Sequence, residues 1–213
     1  MHIRSGKVAA FPLNSHQRLQ VVSEFYTYLQ TGYYHIADLN GYDHMLYILT
    51  LVVGFSIWHW KKVLLAVTAF TIGHSITLAL ATLDLVHIPQ EQTEFYISIT
   101  ILISAIYAAI RAKSEPKISA MFYFLTMGFG LIHGLGFSSF LSAGLEPDES
   151  IFAPLLGFNI GLEIGQLLIV LAIMIINLVV EHVLDIKKAN WVVFCSGFAS
   201  SLALLLIFEN KFW

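Results

Sequence analysis

The side chains with chemistry to offer in this sequence are histidines and carboxylates embedded in apolar surroundings. Asp43 and His44 are adjacent, behind His35 and the turn-like pair Asn40–Gly41. His74 is followed by Ser75 and sits between Thr71 and Thr77. His133 lies within a glycine-rich string, Gly128, Gly130, Gly134 and Gly136. Asn159, Glu163 and Gln166 are spaced i, i+4, i+7, so on a helix they share one face. Imidazole and carboxylate together suit Zn, Ni, Co, Fe or Mn, whereas soft-metal chemistry needs thiolates. The single cysteine, Cys195, lies in an apolar stretch and reads as a small buried hydrophobe. The candidate metal ligands are therefore Asp43, His44, His74, His133 and Glu163, with His35, Ser75, Asn159 and Gln166 as supporting polar groups. The remaining histidines, His2, His16, His59, His87 and His182, read as interfacial or solvated.

The elements that carry these residues are membrane spans. Hydrophobic residues make up 57% of the 213-residue chain and charged residues only 12%, against about 25% charged in a soluble domain. The net charge is −3 with no long basic run, which excludes a nucleic-acid surface. A spanning helix needs about 20 largely apolar residues. Six windows meet or approach that length: Gly41–Trp60, Val63–Leu83, Phe95–Ile110, Ala120–Phe140, Ile151–Val180 and Trp191–Phe208. Ser15–Tyr34 reads as a separate amphipathic or interfacial helix, with Val21, Val22, Phe25, Tyr26 and Leu29 at helical spacing. Met1–Pro12 lacks the apolar core of a cleavable signal peptide. The expected fold is all-α. Residues 1–40 form a tail and amphipathic helix, and residues 41–213 form a polytopic domain of about six transmembrane helices.

Basic residues orient the spans. Lys61 and Lys62, then Arg111, Lys113 and Lys117, then Lys187 and Lys188 occupy alternate loops and make up seven of the 11 basic residues. The opposite loops, Asp84–Glu94 and Gly144–Ser150, hold none and carry Asp84, Glu91, Glu94, Glu146, Asp148 and Glu149 instead. Both termini are expected outside, although Arg4, Lys7, Arg18 and Lys211 then lie on the outer side as well. In this orientation His74 sits about nine residues, or ~13 Å, from the outer end of its helix at 1.5 Å per residue. His133 and Asn159 come at similar depth, Glu163 deeper, and Asp43 and His44 near the rim. Ionisable groups at such depth are costly unless paired and tend to mark function. Phe and Tyr abundance reads as lipid-facing packing and an interface belt.

Four strings in order, Gly41-Tyr42-Asp43-His44, Phe70-Thr71-Ile72-Gly73-His74-Ser75-Ile76-Thr77, His133-Gly134-Leu135-Gly136-Phe137 and Phe158-Asn159-Ile160-Gly161-Leu162-Glu163-Ile164-Gly165-Gln166, resemble those of the HupE/UreJ family. The resemblance runs from about Gly32 to Ile169. It implies an accessory nickel or cobalt permease; with the orientation and depth count, the site is expected to open to the outer face of a bacterial inner membrane. Family members often carry a His-Pro pair ahead of the Asp-His, and here His35 is followed by Ile36.

Two functions fit the residues beside a blander one, a metal-stabilised assembly or accessory factor. One is passage of a divalent transition metal, nickel or cobalt first, through a polar and reversible site near mid-membrane. The other is an intramembrane zinc-dependent hydrolase, in which three ligands and an open position lower the pKa of bound water to about 7. Asp43 or Glu163 would then serve as general base. The bilayer and the metal ion are the expected partners, with a homo-oligomer left open.

Overall fold

The computed structural model describes residues 15–39, 41–115, 119–137 and 150–212, and these are helical with short connections. Asn40, Lys117, Arg4, Lys7 and the acidic residues Glu146, Asp148 and Glu149 lie outside the described residues. Among the described residues seven α-helices follow in order: α1 (Ser15–Ala37), α2 (Asp43–Val52), α3 (Trp60–Thr82), α4 (Gln90–Ile110), α5 (Ala120–Leu135), α6 (Phe152–His182) and α7 (Lys188–Glu209). A 3₁₀ turn, Ile57–His59, leads into α3.

Among the described residues four helices are long and apolar enough to cross a membrane: α3 together with its preceding turn, α4, α6 and α7. The apolar helices α2 and α5 are shorter. Large apolar side chains such as Leu168, Leu171 and Ile175 on α6 and Phe194 and Phe198 on α7 stand exposed. A soluble monomer rarely shows contiguous apolar surface on that scale, and in a bilayer it faces lipid. The chain is a helical integral membrane protein.

The first expected span is corrected by the structure. Gly41–Trp60 is not one helix, because α2 stops at Val52 after 10 residues, about 15 Å of rise and half the hydrocarbon thickness. Gly54, a weak helix former, follows, and Ser56 adopts an extended backbone before the 3₁₀ turn. The break frees the carbonyls of Val53 and Phe55, which inside a bilayer costs several kcal/mol per group unless satisfied. Asn177 on α6 supplies the donor: its Nδ2 donates to Val53 O at 3.2 Å and Phe55 O at 3.3 Å. Its Oδ1 accepts from Trp191 Nε1 at 2.8 Å. Every polar atom of the Asn177 amide head is used, so the half-helix is stitched to α6 and α7 at once.

The helices associate in pairs. α3 and α5 run parallel, since Gly130 abuts the Phe70 carbonyl and Gly134 the His74 carbonyl. A Cβ at Gly134 would collide with the His74 carbonyl oxygen and the Thr77 hydroxyl, so only glycine allows this approach. α1 and α6 are also parallel, with Phe25 beside Gly157, Leu29 beside Gly161 and Phe158 beside Gly32. The N-terminal helix is thus a bundle member, not the separate helix its amphipathic pattern suggests. α4 and α7 run antiparallel, with Phe95 near Phe212 at one end and Ala108 near Val192 and Cys195 at the other. α2 sits between α4, α6 and α7 and buries Tyr47, Ile48 and Val52.

Candidate metal centre

Three helices deliver one histidine each to a single group, and a fourth sets His133 beside it. His35 arrives on the last turn of α1, because the glycine contacts hold that turn against α6. His44 opens α2, directly after Asp43. His74 stands on α3, eight residues from its end at Thr82, or about 12 Å of helix. His133 lies on the last turn of α5, which the glycine contact at Gly134 draws in.

The imidazoles of His35, His44 and His74 bring a ligand nitrogen each within 4.8 Å of one another. A tetrahedral ion with metal–nitrogen bonds of about 2.0–2.1 Å spaces its ligands ~3.3 Å apart, so closure on an ion takes shifts on the order of 1 Å. His133 stands beside this group without belonging to it, its centroid 5.2 Å from that of His44.

Hydrogen bonding prepares the nitrogens. Asp43 Oδ1 accepts from the His44 backbone N–H at 2.8 Å and pairs with His44 Nδ1 at 3.0 Å. That contact places the proton on Nδ1 and turns the Nε2 lone pair inward, the role carboxylates play behind metal-binding histidines. His133 Nδ1 lies 2.8 Å from the Phe129 carbonyl, which selects the same tautomer. Nε2 of His35, His44 and His133 and both ring nitrogens of His74 are buried with no partner among the described residues. An unsatisfied buried polar atom costs about 1–3 kcal/mol. A bound cation would relieve several of these at once, so the donor set fits a divalent transition metal.

Aromatic rings wall the cluster. Tyr47, one turn after His44, lies 5.3 Å from His133 and stacks on Phe70 at 5.1 Å. Phe137 lies 4.2 Å from His35. Phe158 stacks on Phe137 at 4.7 Å and on His74 at 6.0 Å. These four were absent from the sequence-based site, where aromatics read as lipid-facing. Their spacing was the available signal, since Tyr47, Phe70 and Phe137 each lie three or four residues from a site histidine. Two depressions adjoin the cluster. One, of 230 Å³, is lined by Gly41, Tyr42, Asp43, Glu94, Ser98 and Asn210 among others. The other, wider, runs along α1 past Thr31, Tyr34, His35 and Phe137.

The other expected residues lie elsewhere. Glu163 accepts a hydrogen bond from Thr68 Oγ1 at 2.8 Å. Thr68 is six residues before His74, about 9 Å along α3, and Glu163 is not part of the histidine group. Gln166 accepts from Thr71 Oγ1 at 2.7 Å. Ser75 donates to the Thr71 carbonyl at 2.6 Å. Asn159 Nδ2 donates to the Leu155 carbonyl, while its Oδ1 is buried without a partner among the described residues. These residues form a polar seam between α3 and α6 beside the centre.

No curated protein and no solved structure matches this chain. The family comparison does: residues 13–210 match the model described as HupE / UreJ protein. That match takes in all four histidine-bearing helices, and the chain belongs to the HupE/UreJ family.

Proposed function

We propose that this protein is a permease for a divalent transition metal, nickel or cobalt first, with His35, His44, His74 and His133 as its capture site. The single observation that carries the reading is the grouping of His35, His44 and His74 from three helices, whose buried Nε2 atoms, like that of neighbouring His133, have no partner among the described residues. Neutral imidazoles bind first-row ions without adding charge, which leaves release feasible. Asp43 orients His44 and offsets part of the ion's charge. Glu163, with Asn159 and Gln166, is the carboxylate an ion would meet next on its way along the α3–α6 seam. The centre opens to the outer face of a bacterial inner membrane, with Lys61, Lys62, Arg111, Lys113, Lys187 and Lys188 on the cytoplasmic side.

The test is metal content per protein for wild type, His74→Ala and Glu163→Gln, alongside uptake of labelled nickel or cobalt by cells. Loss of metal in His74→Ala, and loss of uptake with retained metal in Glu163→Gln, are expected. A second reading, an intramembrane zinc hydrolase, is favoured by one feature: α2 to α5 carry no charged side chain between the centre and the basic end. Full zinc occupancy with no uptake by wild type would sink the permease and promote the hydrolase.

A further inference from the structure

Away from the histidines, two cavities on the far side of Tyr47 join into one amphiphilic cleft. The upper, of 220 Å³, lies between α4 and α5 and is mostly apolar, running from Tyr47 and Phe129 past Ile103 and Leu125. The lower, of 80 Å³, is lined by Thr50, Ser104, Arg111 and Ser114 among others. The two share Leu51, Ser104, Tyr107 and Phe122. The flank is open to the bilayer, since Ile103, Tyr107, Met121 and Leu125 are all more than half exposed.

Arg111 decides what the cleft suits. It follows the last turn of α4, at the end of the bundle where α7 begins. No carboxylate pairs with it among the described residues, where the two ion pairs involve His44–Asp43 and His87–Asp84. A half-buried guanidinium at the mouth of a cavity, with the Ser114 hydroxyl nearby, presents donors that match a phosphate oxygen array; Thr50 Oγ1 donates to the Tyr47 carbonyl and to Ser104 Oγ higher in the slot. Directly above it runs an apolar slot of membrane depth. Cation at the interface and hydrocarbon slot in the core are the two halves of one molecule.

We propose that this cleft is a binding site for a single anionic phospholipid, with its phosphate on Arg111 and one acyl chain lying between α4 and α5. The chain tip reaches Tyr47 and Phe129, the side chains that floor the histidine cluster. The lipid therefore fills the gap left by loose α4–α5 packing and braces the metal centre from below. Neither part of this rests on the metal-transport reading.

The experiment uses delipidated, EDTA-treated full-length protein in detergent, with phosphatidylglycerol or phosphatidylcholine of identical chains added in mixed micelles. Thermal melts and native mass spectrometry read the result. One interfacial basic residue is worth roughly 1 kcal/mol toward anionic lipid, about fivefold in affinity. Wild type should bind phosphatidylglycerol about fivefold more tightly than phosphatidylcholine and hold one copy in the gas phase. Arg111→Gln should lose that preference, Lys113→Gln at the exposed neighbour should keep it, and Ser104→Leu should weaken both lipids by filling the slot. Equal binding of the two lipids by wild type overturns the proposal. So does an undiminished preference in Arg111→Gln, or inorganic phosphate alone reproducing the stabilisation. Should Arg111→Gln not fold, the stoichiometry and headgroup preference of wild type still decide the matter.

Discussion

Two buried polar regions in this bundle look alike in composition and differ in one respect. Around Asn177, the amide donates to two carbonyls of the broken α2 segment and accepts from Trp191, so nothing is left over. Around His74, both ring nitrogens and the Nε2 atoms of three neighbouring imidazoles are left without protein partners among the described residues. The first region is a knot that closes the fold on itself. The second is complete only with something added. Burial of polar groups is common to both, and unsatisfied valence separates them.

The difference is open to attack in order of effect. Largest is ligand linkage: a metal present at a thousandfold over its Kd, binding only the folded state, stabilises by about 4 kcal/mol. Nickel, cobalt or zinc should therefore raise the melting temperature of EDTA-treated protein, and His74→Ala should abolish the shift. An unchanged melt with metal content verified would make the histidine region a second knot. Next is Asn177→Ala, which strands the Val53 and Phe55 carbonyls and the Trp191 N–H, at about 1 kcal/mol each by the low end of the range, or about 3 kcal/mol in all. That loss should be the same with and without metal; a metal-dependent loss would mean the two regions are coupled.

Smaller still is Asp43→Asn, which keeps the shape and weakens the acceptor behind His44. Loss of such a partner typically lowers metal affinity 10–100-fold, measurable by competition with a chelating dye, and metal-free stability should change little. Unaltered affinity would remove Asp43 from the centre. The smallest effect belongs to neither region. Asp84, just past α3, has φ 64°, a left-handed backbone. Asp84→Gly should stabilise by about 1 kcal/mol in thermal melts and leave metal affinity alone, because its exposed pair with His87 contributes little.

The long spans α3, α4, α6 and α7 were legible because length and apolar content are properties of the local sequence. Residue counting alone likewise brings His44, His74 and His133 toward the same end of the bundle. The break in α2 was not legible. Leu51-Val52-Val53-Gly54-Phe55 reads as an unbroken apolar run, and its partner Asn177 is far away in the chain. His35 owes its place to α1 docking on Gly157, Gly161 and Gly165, a stripe visible in the sequence that does not say which helix it meets. Glu163 shows the limit of counting depth alone. It lies at a plausible level, yet five residues past Phe158 a helix has turned well away from the ring that faces His74. Rotation about the axis decides what a residue touches, and rotation is set by packing.

The stitch at Asn177 also fixes a clock. The residue that satisfies Val53 is 124 positions downstream, and a ribosome adding 5–20 residues per second takes roughly 6–25 s to deliver it. For that interval α2 has left the exit tunnel with two carbonyls lacking their final donor. It is also too short to cross hydrocarbon as an independent helix. The half-helix must wait, at the interface or within the insertion machinery, until α6 arrives. Truncation at any point before residue 177 should leave α2 accessible to water-soluble labels.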